Sequence, residues 1–383
     1  MEKTGVIKVL FISNIANKVG SFSVASIAAA RRNGLEFYYA ANWSNATYEQ
    51  RLADEKKYGI NLVHIDLERS PYSIKNYKAY KQLVNFINKE KIDYIHCNTP
   101  VGGMLGRLAG KKCKVKKVIY QVHGFHFYEG APKKNWLIYY PIEKYLAKLT
   151  DAIITINKED YKYAKSFDLR NNGSAYYVPG VGIDLAGYAD DSLLRKRMRQ
   201  ELQLKSSDYA IISVGELNDN KNNKVIIKAI AKLKKLSIHY YLCGLGACED
   251  DLKRLATELN VINQVHFLGY RTDIVDVLQA FDAFVLPSYR EGLSRSLMEA
   301  MASGLPCIVS DIRGNSDLIN NGIGGYLVKP DDVNGFSAAI SSIMESSVLR
   351  LEMKENNLAK IKNYSLEVVI DKLSDIYSSE FRE

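Results

Sequence analysis

The chain has 383 residues, a length that suggests two domains. Apolar residues make up 47% and charged residues 25%, which excludes a disordered chain, and no run of about eighteen apolar residues is present to span a membrane. Lys and Arg total 52 against 43 Asp and Glu, a net +9, but residues 1–180 carry +13 and residues 181–383 carry −4, so an anionic partner should meet one half only.

In chain order, short apolar runs rich in Val, Ile and Tyr predict strands at 7–13, 36–41, 62–67, 94–98, 118–123, 152–156 and 175–178. Helical stretches lie between most of them, among them 22–32, 74–90 with Leu83, Phe86 and Ile87 on one stripe, and 136–149. A Gly/Pro-rich stretch, 179–184, interrupts the pattern, which then starts again. Strands are expected at 210–216, 240–243, 265–268, 283–286, 307–310 and 325–328, and helices at 223–236, 250–259, 273–280, 296–303 and 333–346. The expected fold is α/β: two Rossmann-like, doubly wound parallel-sheet domains, 1–180 and 181–383, facing across a cleft. A last helix, about 366–380, follows Tyr364 and is free to pack on either domain. The opening segment, MEKTGVIKVLFISN, leads into a strand and has too short an apolar run for a signal peptide. The five cysteines have no CxxC spacing and read as reduced thiols of a cytosolic protein. Cys243 and Cys248 lack further ligands at a zinc spacing, so no metal site is expected.

Ligands of such sheets bind outside the carboxyl ends of the strands, so the loops after strands are where chemistry belongs. The strongest signal is PSYREGLSRSLMEAMASGLP at 287–306, a strand end, a polar loop and a helix stopped by Gly304-Leu305-Pro306. Backbone N–H groups around Gly292, Leu293, Ser294 and Ser296 would emerge from the helix start and suit a phosphate. Glu291 and Glu299 would repel that phosphate and suit sugar or ribose hydroxyls instead. The alternatives are a loop acid at Glu291 and a Ser296–Glu299 capping box. A second loop, VGELNDNKNN at 214–223, holds Gly215 and Lys221, a lysine placed to neutralise a leaving pyrophosphate or simply a solvated turn residue. Gly244-Leu245-Gly246 permits close approach of backbone to a ligand but lacks the third glycine of a dinucleotide fingerprint. The first loop of the first domain has only Gly20, so a nicotinamide enzyme is disfavoured. Finally, His123 closes a strand in VHGFHFY, where it can orient a sugar hydroxyl or shuttle a proton; it and His126 are otherwise structural hydrogen bonders.

Taken together these segments resemble the GT-B glycosyltransferases of glycosyltransferase family 4 over nearly the whole chain. The most specific feature is the glutamate pair Glu291 and Glu299, seven residues between them, supported by Gly215 with Lys221, His123-Gly124, VPGVGID and Gly269-Tyr270-Arg271 with Asp273. HGFHFY followed by NWLIYYPIEKYLAKLTDAIITINKEDY is similar to the capsule, exopolysaccharide and glycan-assembly branch. The resemblance implies that Glu299 binds donor ribose, that Glu291 and the amides of Gly292–Ser294 contact the transferred sugar, and that Lys221 holds the diphosphate. It further implies that His123 lies near the reacting carbon, that Tyr270 and Arg271 face the base, and that Gly20 and Gly244 line the nucleotide-sugar site. Such enzymes retain anomeric configuration without a metal, and the leaving diphosphate takes the acceptor proton. One departure is Glu216, where the family commonly has a basic residue, and it shifts diphosphate binding onto Lys221, the helix start and Arg290 or Arg295.

The expected activity is therefore transfer of a hexose or N-acetylhexosamine from a UDP-sugar, a co-substrate rather than a cofactor, to a lipid-diphosphate-linked saccharide. A sugar-nucleotide epimerase or hydrolase of the same fold is one alternative; a basic nucleic-acid-binding protein is another, though no recognition motif accompanies the lysines. The enzyme is expected in the cytoplasm, peripheral at the inner face of the membrane. Lys111, Lys112, Lys114, Lys116 and Lys117, with Lys133 and Lys134, would rest on anionic lipid, unless the first cluster is only a solvated turn.

Overall fold

Both halves of the chain build parallel sheets, and the computed structural model describes them over residues 6–188 and 191–381. Residues 1–5, where the N-terminal reading begins, and 382–383, at the end of the expected second domain, lie outside the described residues. The first unit comprises the chain up to Gly182 together with the helix Leu366–Phe381; the second runs from Ile183 to Ser365. The division falls two residues beyond the expected boundary, inside the Gly/Pro-rich stretch.

The first sheet has seven strands: β1 (Lys8–Ile15), β2 (Glu36–Asn42), β3 (Asn61–His64), β4 (Tyr94–Asn98), β5 (Lys117–Val122), β6 (Ala152–Thr155) and β7 (Ser174–Tyr177), in the order 3-2-1-4-5-6-7. The second has six: β8 (Tyr209–Val214), β9 (Ile238–Cys243), β10 (Val265–Gly269), β11 (Ala283–Leu286), β12 (Cys307–Ser310) and β13 (Gly325–Val328), in the order 10-9-8-11-12-13. Every pairing is parallel. In each sheet the strand order reverses beside the first strand, so the switch points lie between β1 and β4 and between β8 and β11. Helices on both faces bury the strands on two sides, which is why Val9–Ile12 and Ile211–Ile212 are apolar without alternation. Each such buried side chain contributes about 1.5–3 kcal/mol of transfer free energy.

The helix Leu366–Phe381 shows how the last segment is assigned to the first unit. Val369, Ile370, Leu373, Ile376 and Tyr377 recur at helical spacing and are buried in the same cluster as Ala25, Ala29 and Ala30 of helix Ser21–Arg32. Phe381 stacks on Tyr94 with ring centroids 4.3 Å apart. Arg32 adds ion pairs at 2.5 Å to Glu367 and to Asp371, which are exposed and worth little.

Three predicted elements differ in extent by more than their ends: the strand expected at 62–67 is only Asn61–His64, the helix expected at 223–236 is Lys224–Leu233, and that at 273–280 is Ile274–Leu278. The helices Pro100–Cys113, Ser192–Glu201 and Ser347–Ile361 carry no strong sequence pattern. The first has four glycines because its backbone lies against β4 and β5: a Cβ at Gly103 would come within 2.3 Å of the Tyr120 ring, and one at Gly106 within 2.8 Å of Cys97. The second buries only Met198. No helix among the described residues is long and apolar enough to cross a membrane.

Candidate active site

In the second unit, the loops leaving β8 and β11 at the switch point are stitched together. The N–H of Tyr289 donates to the carbonyl of Asn220 at 2.8 Å, and Asn220 Nδ2 donates to the carbonyl of Arg290 at 3.0 Å. Asn222 Nδ2 donates to the carbonyls of Pro287 and Pro330. Asn218 caps the short turn Asp219–Lys221 by accepting from Lys221 N–H at 3.1 Å, which fixes the backbone of the lysine. Lys221 Nζ then donates to Glu291 Oε1 at 2.7 Å, both side chains mostly shielded from solvent. The sequence-predicted lysine and loop glutamate are thus a single ion pair at the carboxyl ends of adjacent strands.

Glycines let this corner close. Gly215 and Gly244 both have φ +151°, and a Cβ on Gly244 would lie 1.9 Å from the carbonyl oxygen of Gly215. The loop Glu291–Ser294 is backed by Arg313, whose Nε donates to the Glu291 carbonyl at 3.3 Å, and by Gly314, where a Cβ would lie 2.3 Å from the Gly292 oxygen. Ser294 is the N-cap of helix Arg295–Ala302, accepting from Leu297 N–H. Ser296 is therefore inside the helix, and the capping-box reading of Glu299 does not hold. Glu299 instead accepts from Arg295 Nε at 2.8 Å across one helical turn. Tyr188, which sequence reasoning missed, has its phenol pKa raised by burial and by the nearby Glu299 carboxylate. At the sheet edge, Tyr270 is exposed after β10, and Arg271 is held in two hydrogen bonds to Asp273, at 2.6 and 2.8 Å, and one to Glu201 at 2.9 Å. The guanidinium holds Asp273 below its usual carboxylate range. Arg290, Arg295 and Glu216 are exposed.

The first unit has a cavity of about 730 Å³ at its own switch point, lined from β1 by Ser13 and Asn14, from the end of β4 by Asn98, and by Thr99, which follows it. That volume lies within the ~300–1,000 Å³ that enclose small-molecule ligands. His123 lines it, and its Nε2 hydrogen-bonds Asn98 Oδ1 at 2.9 Å. Burial lowers the His123 pKa to about 4, so the ring is neutral near pH 7, and its Nδ1 has no hydrogen-bond partner among the described residues. Phe22 packs edge-on against the ring at 5.1 Å. Gly20 and His126 also line the cavity; a Cβ at Gly20 would meet nothing within 4 Å, so the fold itself does not require glycine there. Thr99 has φ +64° and ψ 155°, a conformation costly for a β-branched residue and held here by Asn14 Oδ1, which accepts from Thr99 Oγ1 at 2.7 Å and Gly102 N–H at 2.8 Å. Strain of that kind concentrates at functional sites.

Structure brings together Lys221, Glu291, Gly215 and Gly244 with the Gly292–Ser294 backbone in the second unit, and His123 with Gly20 in the first. Asn98, Glu143 and Arg107 were not anticipated; the polar end of the buried strand YIHCN was a usable signal for Asn98. The two lysine groups lie at different ends of the first sheet. Lys111, Lys112 and Lys114 end the helix Pro100–Cys113, and Lys116 and Lys117 lead into β5, so this group sits at the amino end of the sheet, away from the carboxyl-end cavity; Lys116 pairs with Asp93 and Lys117 with Glu380. Lys133 and Lys134 instead open the helix Lys133–Ala147, which lines the cavity and exposes Leu137, Ile138, Ile142 and Tyr145.

Residues 195–360 match the family profile of glycosyl transferases group 1, and residues 45–157 match the glycosyl transferase 4-like profile. EpsD of Bacillus subtilis strain 168, which carries a provisional glycosyltransferase name, is 34% identical over 377 residues, covering 97% of this chain and 96% of its own. A UDP-Gal:alpha-D-GlcNAc-diphosphoundecaprenol alpha-1,3-galactosyltransferase of Escherichia coli is 30% identical, covering 79% of this chain and 80% of its own. Among solved structures, Anabaena HepE, determined with UDP and glucose, superposes with a TM-score of 0.79 at 19% identity, covering 97% of this chain and all of that one. The chain belongs to the GT-B glycosyltransferases, and it is a sugar-transferring enzyme.

Proposed function

We propose that the enzyme moves a hexose or N-acetylhexosamine from a UDP-sugar to a saccharide carried on a lipid diphosphate, with retention of configuration, in assembly of a cell-surface polysaccharide or glycan. The observation that carries this reading is the Lys221–Glu291 pair, 2.7 Å across the switch point of the second sheet. A lysine fixed there by its carboxylate partner meets the donor diphosphate, while Glu291 accepts from hydroxyls of the transferred sugar. Glu299 takes the ribose hydroxyls, releasing Arg295 toward phosphate, and the helix start at Ser294 adds positive dipole. The bond from the anomeric carbon to the diphosphate breaks, the acceptor oxygen bonds to that carbon, and the acceptor proton passes to the departing diphosphate. No metal is required, since Lys221 and the helix start balance the developing charge. The Escherichia coli relative, named for a diphosphoundecaprenol acceptor, and the UDP-bound HepE support the choice of acceptor and donor class.

The same reading puts the acceptor in the cavity of the first unit and the enzyme at the inner face of the membrane, with Lys133, Lys134 and the exposed apolar side chains of helix Lys133–Ala147 against anionic lipid. Purified protein incubated with UDP-glucose, UDP-galactose and their N-acetyl counterparts, plus GlcNAc-diphosphoundecaprenol, should form a disaccharide with the donor's anomeric configuration, assigned by NMR coupling constants. Neither transfer nor donor hydrolysis with any of the four would refute the assignment.

A further inference from the structure

Helix Lys133–Ala147 carries a single acid, Glu143, and Glu143 lines the cavity of the first unit. Arg107 lies behind it with no exposed side-chain surface. Its Nη1 donates to Glu143 Oε2 at 2.8 Å, its Nη2 to Oε1 at 3.3 Å, and its Nε to the Gly103 carbonyl at 2.9 Å. The Tyr120 ring, another part of the cavity wall, lies 3.9 Å from the guanidinium carbon and rests on Gly103, where a Cβ would come within 2.3 Å. A carboxylate offers about four acceptor positions. Arg107 occupies one on each oxygen, and the carboxylate keeps acceptor capacity toward the cavity.

The wall around it suits a sugar. Aromatic side chains, Tyr39, Tyr120 and Tyr139 among them, give faces for C–H edges, and a fixed carboxylate accepts from hydroxyls. A diphosphate is repelled by that carboxylate, whereas Lys18 and Arg69, both exposed, bring positive charge to the same lining. We propose that Glu143 is a specificity-determining residue of the acceptor-sugar site, accepting hydrogen bonds from hydroxyl or acetamido groups of the acceptor's terminal sugar, with Arg107 as its positioning residue and Lys18 and Arg69 meeting the diphosphate. This rests on the proposed function, which puts the acceptor in this cavity.

The test must separate recognition from folding, because removing Glu143 alone leaves a buried, uncompensated Arg107. The double variant Arg107→Met/Glu143→Leu removes both charges and keeps the volume filled. It is compared with the wild type and Glu143→Gln in two assays: binding of methyl glycosides of GlcNAc, glucose and galactose by saturation-transfer NMR, and transfer to GlcNAc-diphosphoundecaprenol. The double variant should keep its melting temperature and its UDP affinity. Its glycoside binding should weaken, and its KM for acceptor should rise, by roughly 10- to 100-fold, the loss expected for hydrogen bonds to a charged group, with kcat changed far less. A wild type that binds none of the glycosides, or a folded double variant that binds them equally, overturns the inference. Glycoside binding that depends on Glu143 without any transfer leaves Glu143 as a sugar-binding residue and strikes the proposed function, and with it the acceptor role, instead.

Discussion

At the first switch point helices close the crevice into a cavity with aromatic walls, a neutral histidine and one carboxylate anchored on a buried arginine. At the second, reached by the same strand order, glycines bring two loops into contact and leave an ion pair and a helix start at the surface of the sheet. Parallel strand order determines only where a ligand can sit. The side chains after the strands determine which chemistry is available there: aromatic faces with one fixed carboxylate in one unit, an ion pair beside a helix start in the other.

The sharpest way to break this contrast is Lys221→Met. If Lys221 meets the donor diphosphate as proposed, its loss should lower kcat/KM by about a hundred- to a thousandfold, the size seen when one charge-stabilising donor is removed. Steady-state kinetics decides it, and an unchanged kcat/KM would reduce the Lys221–Glu291 pair to a structural tie.

A second test exploits the half-buried histidine ring of the first unit. The unfolded chain protonates His123 near 6.5, the folded protein only near 4. Stability due to this group is therefore full above about pH 6.5 and falls as pH drops toward 4. His123→Asn should flatten that fall in thermal melts from pH 7 to 4, and the wild-type kcat profile should show no His123 titration above pH 5.

Smaller effects separate Glu299 from Ser294. Glu299→Gln breaks only a partly exposed pair with Arg295, so the melting temperature should barely move while the donor KM rises about tenfold if ribose is lost, equivalent to about 1.4 kcal/mol. Ser294→Ala should do the reverse, costing about 1 kcal/mol of stability as a lost N-cap. Calorimetry alongside donor titration reads both.

A separate test concerns the two lysine groups. Lys133→Glu/Lys134→Glu should weaken co-sedimentation with vesicles containing anionic lipid by about 1 kcal/mol per lysine, whereas Lys111→Glu/Lys112→Glu, at the other end of the sheet, should change it little. Equal losses would show that the sheet end does not matter.

Most of the architecture was legible without coordinates, since doubly buried strands leave long apolar runs and Gly/Pro clusters mark the break. The glycine-rich helix Pro100–Cys113 was not, because its glycines serve close packing against Tyr120 and Cys97 of neighbouring strands, which leaves no helical periodicity to read. In the candidate site, the Glu291 and Glu299 pair resembled a family motif but its spacing left a capping box open; the helix start at Ser294 closed that alternative. The charge of +13 was correctly placed in the first 180 residues, yet composition has no direction, so it took the sheet to separate Lys111–Lys117 from the cavity end. What the sequence determined by itself is what is written locally: strand and helix periodicity, the break near residue 180 and the residue types available at strand ends. Pairings between side chains tens of residues apart, Lys221 with Glu291 and Arg107 with Glu143, were decided only by the tertiary structure, because an ion pair depends on distance in space and leaves no periodic trace along the chain.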